Sequence, residues 1–268
     1  MLQFPDTALP KHRQFLTQAI PVLAADPRLL GVAASGSYSE NNLDTYSDLD
    51  LVVVIAPEHF TEVMSERPQI AANLGPLLGC FTGEHVGEPR LLICLYGPDL
   101  LHVDLKFVAL PDATQRVDQP VVLWQRQQLL SDIFASGTGH YPKPDPQWLE
   151  DRIWIWCHYG ADKILRGELL EADAFLAFIR STVLAPLAQL RAGLECKGLR
   201  RLEQQLPQLA SELRHTTGAL TPLMLFSALE KTISLYLQLR PDVQKNIALQ
   251  QAVLDYINAK SGFWSTTS

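Results

Sequence analysis

The chain has 268 residues, 47% hydrophobic and 19% charged, with a formal charge of −7 at pH 7. Its length exceeds one average domain, so two domains are expected, and its composition is that of a globular protein able to bury a large core. The acidic balance disfavours long DNA or RNA as a partner, and no stretch reaches the ~18 continuous apolar residues of a membrane span. The opening residues MLQFPDTALPKHRQ lack the basic start and apolar core of a signal peptide. Cys80, Cys94, Cys157 and Cys196 show neither CxxC nor Cys–His ligand spacing and read as free thiols. A cytoplasmic protein is expected.

In chain order, residues 11–25 carry helical spacing (Phe15, Leu16, Ala19, Ile20, Leu23), with Pro21 expected to kink or break the helix. Leu29 to Ala34 is a short apolar run, read as a buried strand that ends at Gly36-Ser37. Asp48 to Ile55 is the next strand, its VVVI core suited to burial on both faces. A helix is expected over 57–74, then strands over 77–82 and 90–96, with Glu84, His85 and Glu88 in the loop between those strands. Leu100 to Leu110 alternates: His102, Asp104 and Lys106 fall on one face, Val103, Leu105 and Phe107 on the other. Val117 to Trp124 adds an edge element.

Glycines and prolines across residues 136–146 mark a linker. Beyond it, helical spacing takes over, with helices expected near 147–166, 171–192, 198–214, 219–239 and 242–260. Asp173 and Thr221-Pro222 are the start signals, Gly167 and Gly193 the stops. The expected class is α+β, a mixed sheet with flanking helices over 1–140 and a helical bundle over 147–268.

The chemistry is concentrated in GVAASGSYSENNLDTYSDLDLVVVIA, residues 31–56. Gly36-Ser37 closes an apolar strand, and ten residues later Asp48 and Asp50 stand at i and i+2, on one face of a strand. Folding gains nothing from two like charges there; a cation between them explains the pair. With Asp104 on a later polar strand face, the set resembles the DNA polymerase β-like nucleotidyltransferase superfamily, whose signature is GS, a spacer of about that length, hDhDh and a third strand carboxylate. A mixed first domain before a helical second one is similar to its antibiotic-modifying branch, the aminoglycoside and lincosamide nucleotidyltransferases.

That resemblance implies Asp48, Asp50 and Asp104 as catalytic residues and as ligands of one or two Mg²⁺ ions. It implies Gly36 and Ser37 at the phosphates of ATP or another nucleoside triphosphate. Asp104 could instead be the general base for the acceptor hydroxyl, and the sequence leaves that open. The activity implied is transfer of a nucleoside monophosphate, AMP by preference, to a hydroxyl of a small aminoglycoside-like or lincosamide-like molecule, with pyrophosphate released. A homodimer is compatible with the resemblance. Two other readings stand beside it: modification of a protein or an RNA end, and a nucleotide-binding regulator without turnover.

In the helical half, Lys163 or Arg166 could reach the triphosphate, against the simpler role of basic residues at a helix C-terminus. Trp148, Trp154, Trp156 and Tyr159 could line an acceptor pocket, though core packing is the commoner use. Arg152 and His158, with five residues between them, fall near the R-x4–6-H pattern of HEPN ribonucleases, a short motif that occurs readily by chance.

Overall fold

The structure, a computed structural model, describes residues 2–265; Met1 and residues 266–268, the outer ends of the two expected domains, lie outside the described residues. The chain divides into two compact units, Met1–His140 and Tyr141–Ser268. The first runs α1 (Pro10–Ala25), β1 (Leu29–Ala34), β2 (Leu49–Ile55), α2 (Phe60–Ala72), β3 (Leu77–Gly83), β4 (Glu88–Tyr96), β5 (Leu101–Ala109), β6 (Val121–Gln125) and α3 (Leu129–Ala135). Among the described residues, six strands form one sheet in the order β3–β4–β5–β2–β1–β6. Only the central β2–β5 pair is parallel; β1 is antiparallel to β2 and β6, and β4 to β3 and β5.

Alternation along β2 decides what the sheet buries. Leu49, Leu51, Val53 and Ile55 enter a core with Phe15, Leu16 and Ala19 of α1 and Val63 and Ala71 of α2. Burying each such side chain stabilises the fold by about 1.5–3 kcal/mol. Val54 joins the opposite face, with Ala33, Val108 and Leu130 of α3. Toward the starts of β2 and β5 that second face continues through half-buried Val52 and Lys106 to Asp50, Asp104 and His102, none of them buried. The uncovered end of the sheet is therefore where the carboxylates stand.

The second unit contains α4 (Pro146–Leu165), α5 (Leu169–Ile179), α6 (Ala185–Arg191), α7 (Leu202–Gln205), α8 (Pro207–Leu213), α9 (Pro222–Leu239) and α10 (Ile247–Ser265). It has its own core, built on Ile153, Trp154, Cys157, Leu176, Leu229 and Tyr236. The fold class expected from the sequence, a mixed sheet with flanking helices followed by a helical bundle, is the one found. No described helix is long and apolar enough to cross a membrane. The four cysteines are free thiols, Cys94 and Cys157 buried and the others half-buried.

Several local expectations fail for identifiable reasons. Pro21 does not break α1, because it lies on the exposed face and the carbonyl it leaves unpaired belongs to exposed Thr17. The helix expected over 198–214 is two short pieces: Pro207 forces Leu206 out of helical geometry, to φ −135° and ψ 66°. The 171–192 segment begins at Leu169, not Asp173, and passes through a π-turn at Arg180–Leu184 before α6. Asp48 precedes β2, and Glu88 opens β4 instead of lying in the loop. Helix α3 carries no strong periodicity and was not expected.

One buried polar cluster ties the bundle together. Glu150, 2% exposed, accepts hydrogen bonds from Trp154 Nε1, the Tyr236 hydroxyl and the Arg240 guanidinium, itself 8% exposed. Removing one partner of a buried pair strands the other charge. Glu150→Ala should therefore destabilise the second unit by about 3–5 kcal/mol, read as a fall in its urea midpoint.

Candidate active site

The parallel register pairs Asp50 with Asp104 directly, on neighbouring strands. The row continues outward: Asp104 pairs with Ile93 of β4, and Ile93 with Phe81 of β3. In-register residues share a face, so two carboxylates, half-buried Ile93 and exposed Phe81 lie in one row. Asp104 is held by His102, whose Nε2 lies 2.8 Å from its Oδ1. Burial pushes the Asp104 carboxyl above its ordinary range; the His102 contact opposes this, and the charge of Asp48 adds to it. Asp48 thus sits close enough to Asp104 to repel it. Lys106, two positions on from Asp104, is committed to Glu88, 2.9 Å away. Arg90 and Lys106 together pull the Glu88 carboxyl down to about 2, against its partial burial.

Beside this row the chain leaves β1 and makes a single helical turn. The Gly36 carbonyl accepts from Glu40 N–H at 3.2 Å and from the Ser39 hydroxyl at 3.0 Å, and the Ser37 carbonyl from Asn42 N–H at 2.9 Å. Gly36 has φ +59°, the left-handed region, and a Cβ there would lie 2.3 Å from Asp50 Oδ2. Only glycine lets the turn close onto the carboxylate. Ser37 is buried at the same turn.

Two residues that sequence reasoning did not single out fix this arrangement. Asp118, in the segment before β6, accepts the Gly36 N–H at 2.9 Å. His12 of α1, fully buried, accepts from Leu9 N–H through Nδ1 at 3.3 Å, which leaves Nε2–H to donate to the Ser47 carbonyl at 3.1 Å. It ties α1 to the segment entering Asp48. Asp118 belongs to no periodic pattern, and His12 merely continues the buried stripe of α1, so local signals could not have shown what either residue holds.

The donors gathered here are carboxylate oxygens, the chemistry a hard divalent cation prefers. Among the described residues, no three His, Cys, Asp or Glu side chains are set closely enough to hold a metal by themselves. Mg²⁺ needs fewer: it usually takes one or two carboxylates and completes its octahedron with phosphates and waters. The Asp50–Asp104 pair and nearby Asp48 fit that requirement.

The remaining candidate belongs to the other unit. Lys163, near the end of α4, is held by Glu168 at 2.6 Å and Glu171 at 3.1 Å, both of which favour its charged form. Arg152 stacks 4.1 Å over Trp148 and bonds the Trp148 carbonyl, while His158 lies 4.8 Å from the Tyr256 ring. Trp154 is core; Trp148 and Tyr159 are exposed.

The solved structures similar to the chain include the following two. One is an aminoglycoside 6-adenyltransferase from Bacillus subtilis, 14% identical over 91% of this chain and 96% of that one, with a TM-score of 0.38. The other is a nucleotidyltransferase-like protein from Exiguobacterium sibiricum 255-15, 14% identical over 84% of this chain and 74% of that one, with a TM-score of 0.35. At this identity and superposition they decide neither reaction nor substrate. No family model and no curated relative matches the chain.

Gly36→Ala should cost about 1–2 kcal/mol from the left-handed backbone and displace Asp50 as well. A lowered melting midpoint and weakened Mn²⁺ binding, measured without nucleotide, are expected. His12 supplies a pH dependence. Burial lowers its pKa below the ordinary 6.5, against the Ser47 bond and the charges of Asp44 and Asp48, and with Lys11. The unfolded chain therefore takes up a proton that the folded chain refuses, and stability falls as pH drops through about 6.5. Melting midpoints of the wild type should decline between about pH 7 and 5, and His12→Gln should flatten that slope.

Proposed function

We propose that the first unit is a metal-dependent nucleotidyltransferase, transferring AMP from ATP to a hydroxyl of a small aminoglycoside-like or lincosamide-like molecule and releasing pyrophosphate. The observation that carries this reading is the Asp50–Asp104 pair at the uncovered end of the sheet, with the Gly36 turn closed onto Asp50.

When bound, Mg²⁺ supplies charge neutralisation at the transferred and departing phosphates and acidifies the attacking hydroxyl. Asp50 and Asp104 would hold it together with phosphate and water oxygens, with Asp48 beside them as a further ligand for the loaded site. Ser37 donates its hydroxyl and N–H to a terminal phosphate, and Gly36 permits the close approach. Asp104 is also the carboxylate nearest the apolar Ile93–Phe81 side of the row, where an acceptor would lie, and it can take the hydroxyl proton; His102 holds its orientation. No covalent intermediate on the enzyme is needed, since positioning and charge account for the rate.

The test is release of pyrophosphate from labelled ATP, with Mg²⁺ and a panel of hydroxyl acceptors. Turnover should require the metal, stop with a chelator, and fall at least ~100-fold in Asp50→Asn. ATP binding that yields no pyrophosphate with any acceptor, and is unchanged by Asp50→Asn, would overturn the proposal.

A further inference from the structure

Gly36 and Ser37 can hold a phosphate only if the turn that carries them is itself held, and β1 alone does not do this. The antiparallel pairing of β1 with β6 matches Ala34 to Val121, so the residues just before β6 run beside those just after β1. That register delivers Asp118 to the Gly36 amide, across 82 positions of sequence, at 2.9 Å. A carboxylate accepting an N–H at the start of a helical turn is a capping bond, and a charge-assisted one.

The Asp118 segment has no regular secondary structure, yet it is strapped down. Arg116 donates to the Phe134 carbonyl at 2.7 Å, to Gln119 Oε1 at 2.8 Å and to the Gly137 carbonyl, and it lies 5.1 Å over the Phe134 ring. Gly139 packs so tightly on Asp118 that a Cβ there would come within 2.0 Å of the Asp118 carbonyl oxygen. The Gly36 peptide is thus gripped from two sides, by Asp50 against its Cα and by Asp118 on its N–H.

We propose that Asp118 is a positioning residue for nucleotide binding: it fixes the Gly36 peptide so that Ser37 presents its donors to the phosphates. The inference rests on the nucleotidyl-transfer reading. It assigns the Gly36 N–H to the protein and leaves phosphate recognition to Ser37. Asp118 acts in this assignment through the Gly36 amide, so its effect should appear in nucleotide affinity and KM more than in kcat.

Asp118→Ala, Asp118→Asn and Gly139→Ala separate the roles. Calorimetry with Mg²⁺ and ATP, without acceptor, should show about tenfold weaker binding for Asp118→Ala, the size expected for loss of one charge-assisted hydrogen bond. Asp118→Asn keeps an acceptor oxygen and should retain most of the affinity. Gly139→Ala displaces the segment with its carboxylate intact and should weaken binding as Asp118→Ala does. Without nucleotide, the Gly36 amide should lose hydrogen-exchange protection in Asp118→Ala and keep it in Asp118→Asn. Tighter binding by Asp118→Ala would mean that the carboxylate competes with phosphate, and unchanged binding that it is idle; either result sinks the inference while leaving the transferase reading intact. Wild-type protein that binds no Mg²⁺–ATP sinks both.

Discussion

The parallel pairing of β2 with β5 is the constraint on which the site depends. Every other pairing in the sheet is antiparallel, and a parallel neighbour requires a crossover, supplied here by α2, β3 and β4. The pairing brings Asp50 and Asp104 onto adjacent strands, where like charges directly opposite one another are unfavourable. Buried by a helix on that side, the pair would be worse still. The α3 cluster reaches no further along β2 than half-buried Val52, so the carboxylates keep access to solvent. Where the covering helix ends and where the charges begin are the same boundary.

Much of this was legible in residues 31–56 and in the alternation of 100–110, because strand periodicity assigns faces locally. Asp48, Asp50 and Asp104 could be placed on polar faces, and Gly36 in a turn, without knowing the sheet order. Strand order could not be read in that way. It depends on which strands meet, which is a property of the whole domain. Asp118 stayed hidden for that reason: nothing in its neighbours signals a cap on a residue 82 positions away. His12 looked like part of an amphipathic helix, and only the packing shows its ring bridging Leu9 and Ser47. In the helical half, periodicity marked α4 and α9 well but overran at Pro207, where backbone sterics outweigh apolar spacing.

The turn at Gly36 shows how a short motif acquires its meaning. A Gly-Ser pair alone is a common turn. Here the glycine is required twice, by its left-handed φ and by the Asp50 oxygen that occupies the space of a Cβ. The motif therefore couples the turn to a carboxylate through excluded volume, and Asp118 completes the coupling through the amide. Turn and carboxylate cannot shift independently.

Charge closes the account of why this site calls for a cation. Lys106 is spent on Glu88. Asp104 has only the His102 ring, and the charge of Asp48 works against its ionisation. Burial first, and the charge of Asp48 after it, raise the Asp104 pKa; both are free-energy costs of the folded state, and a divalent ion bound among the carboxylates would offset them. The arrangement is unfavourable for folding, and under the metal-dependent reading the same interaction would favour binding.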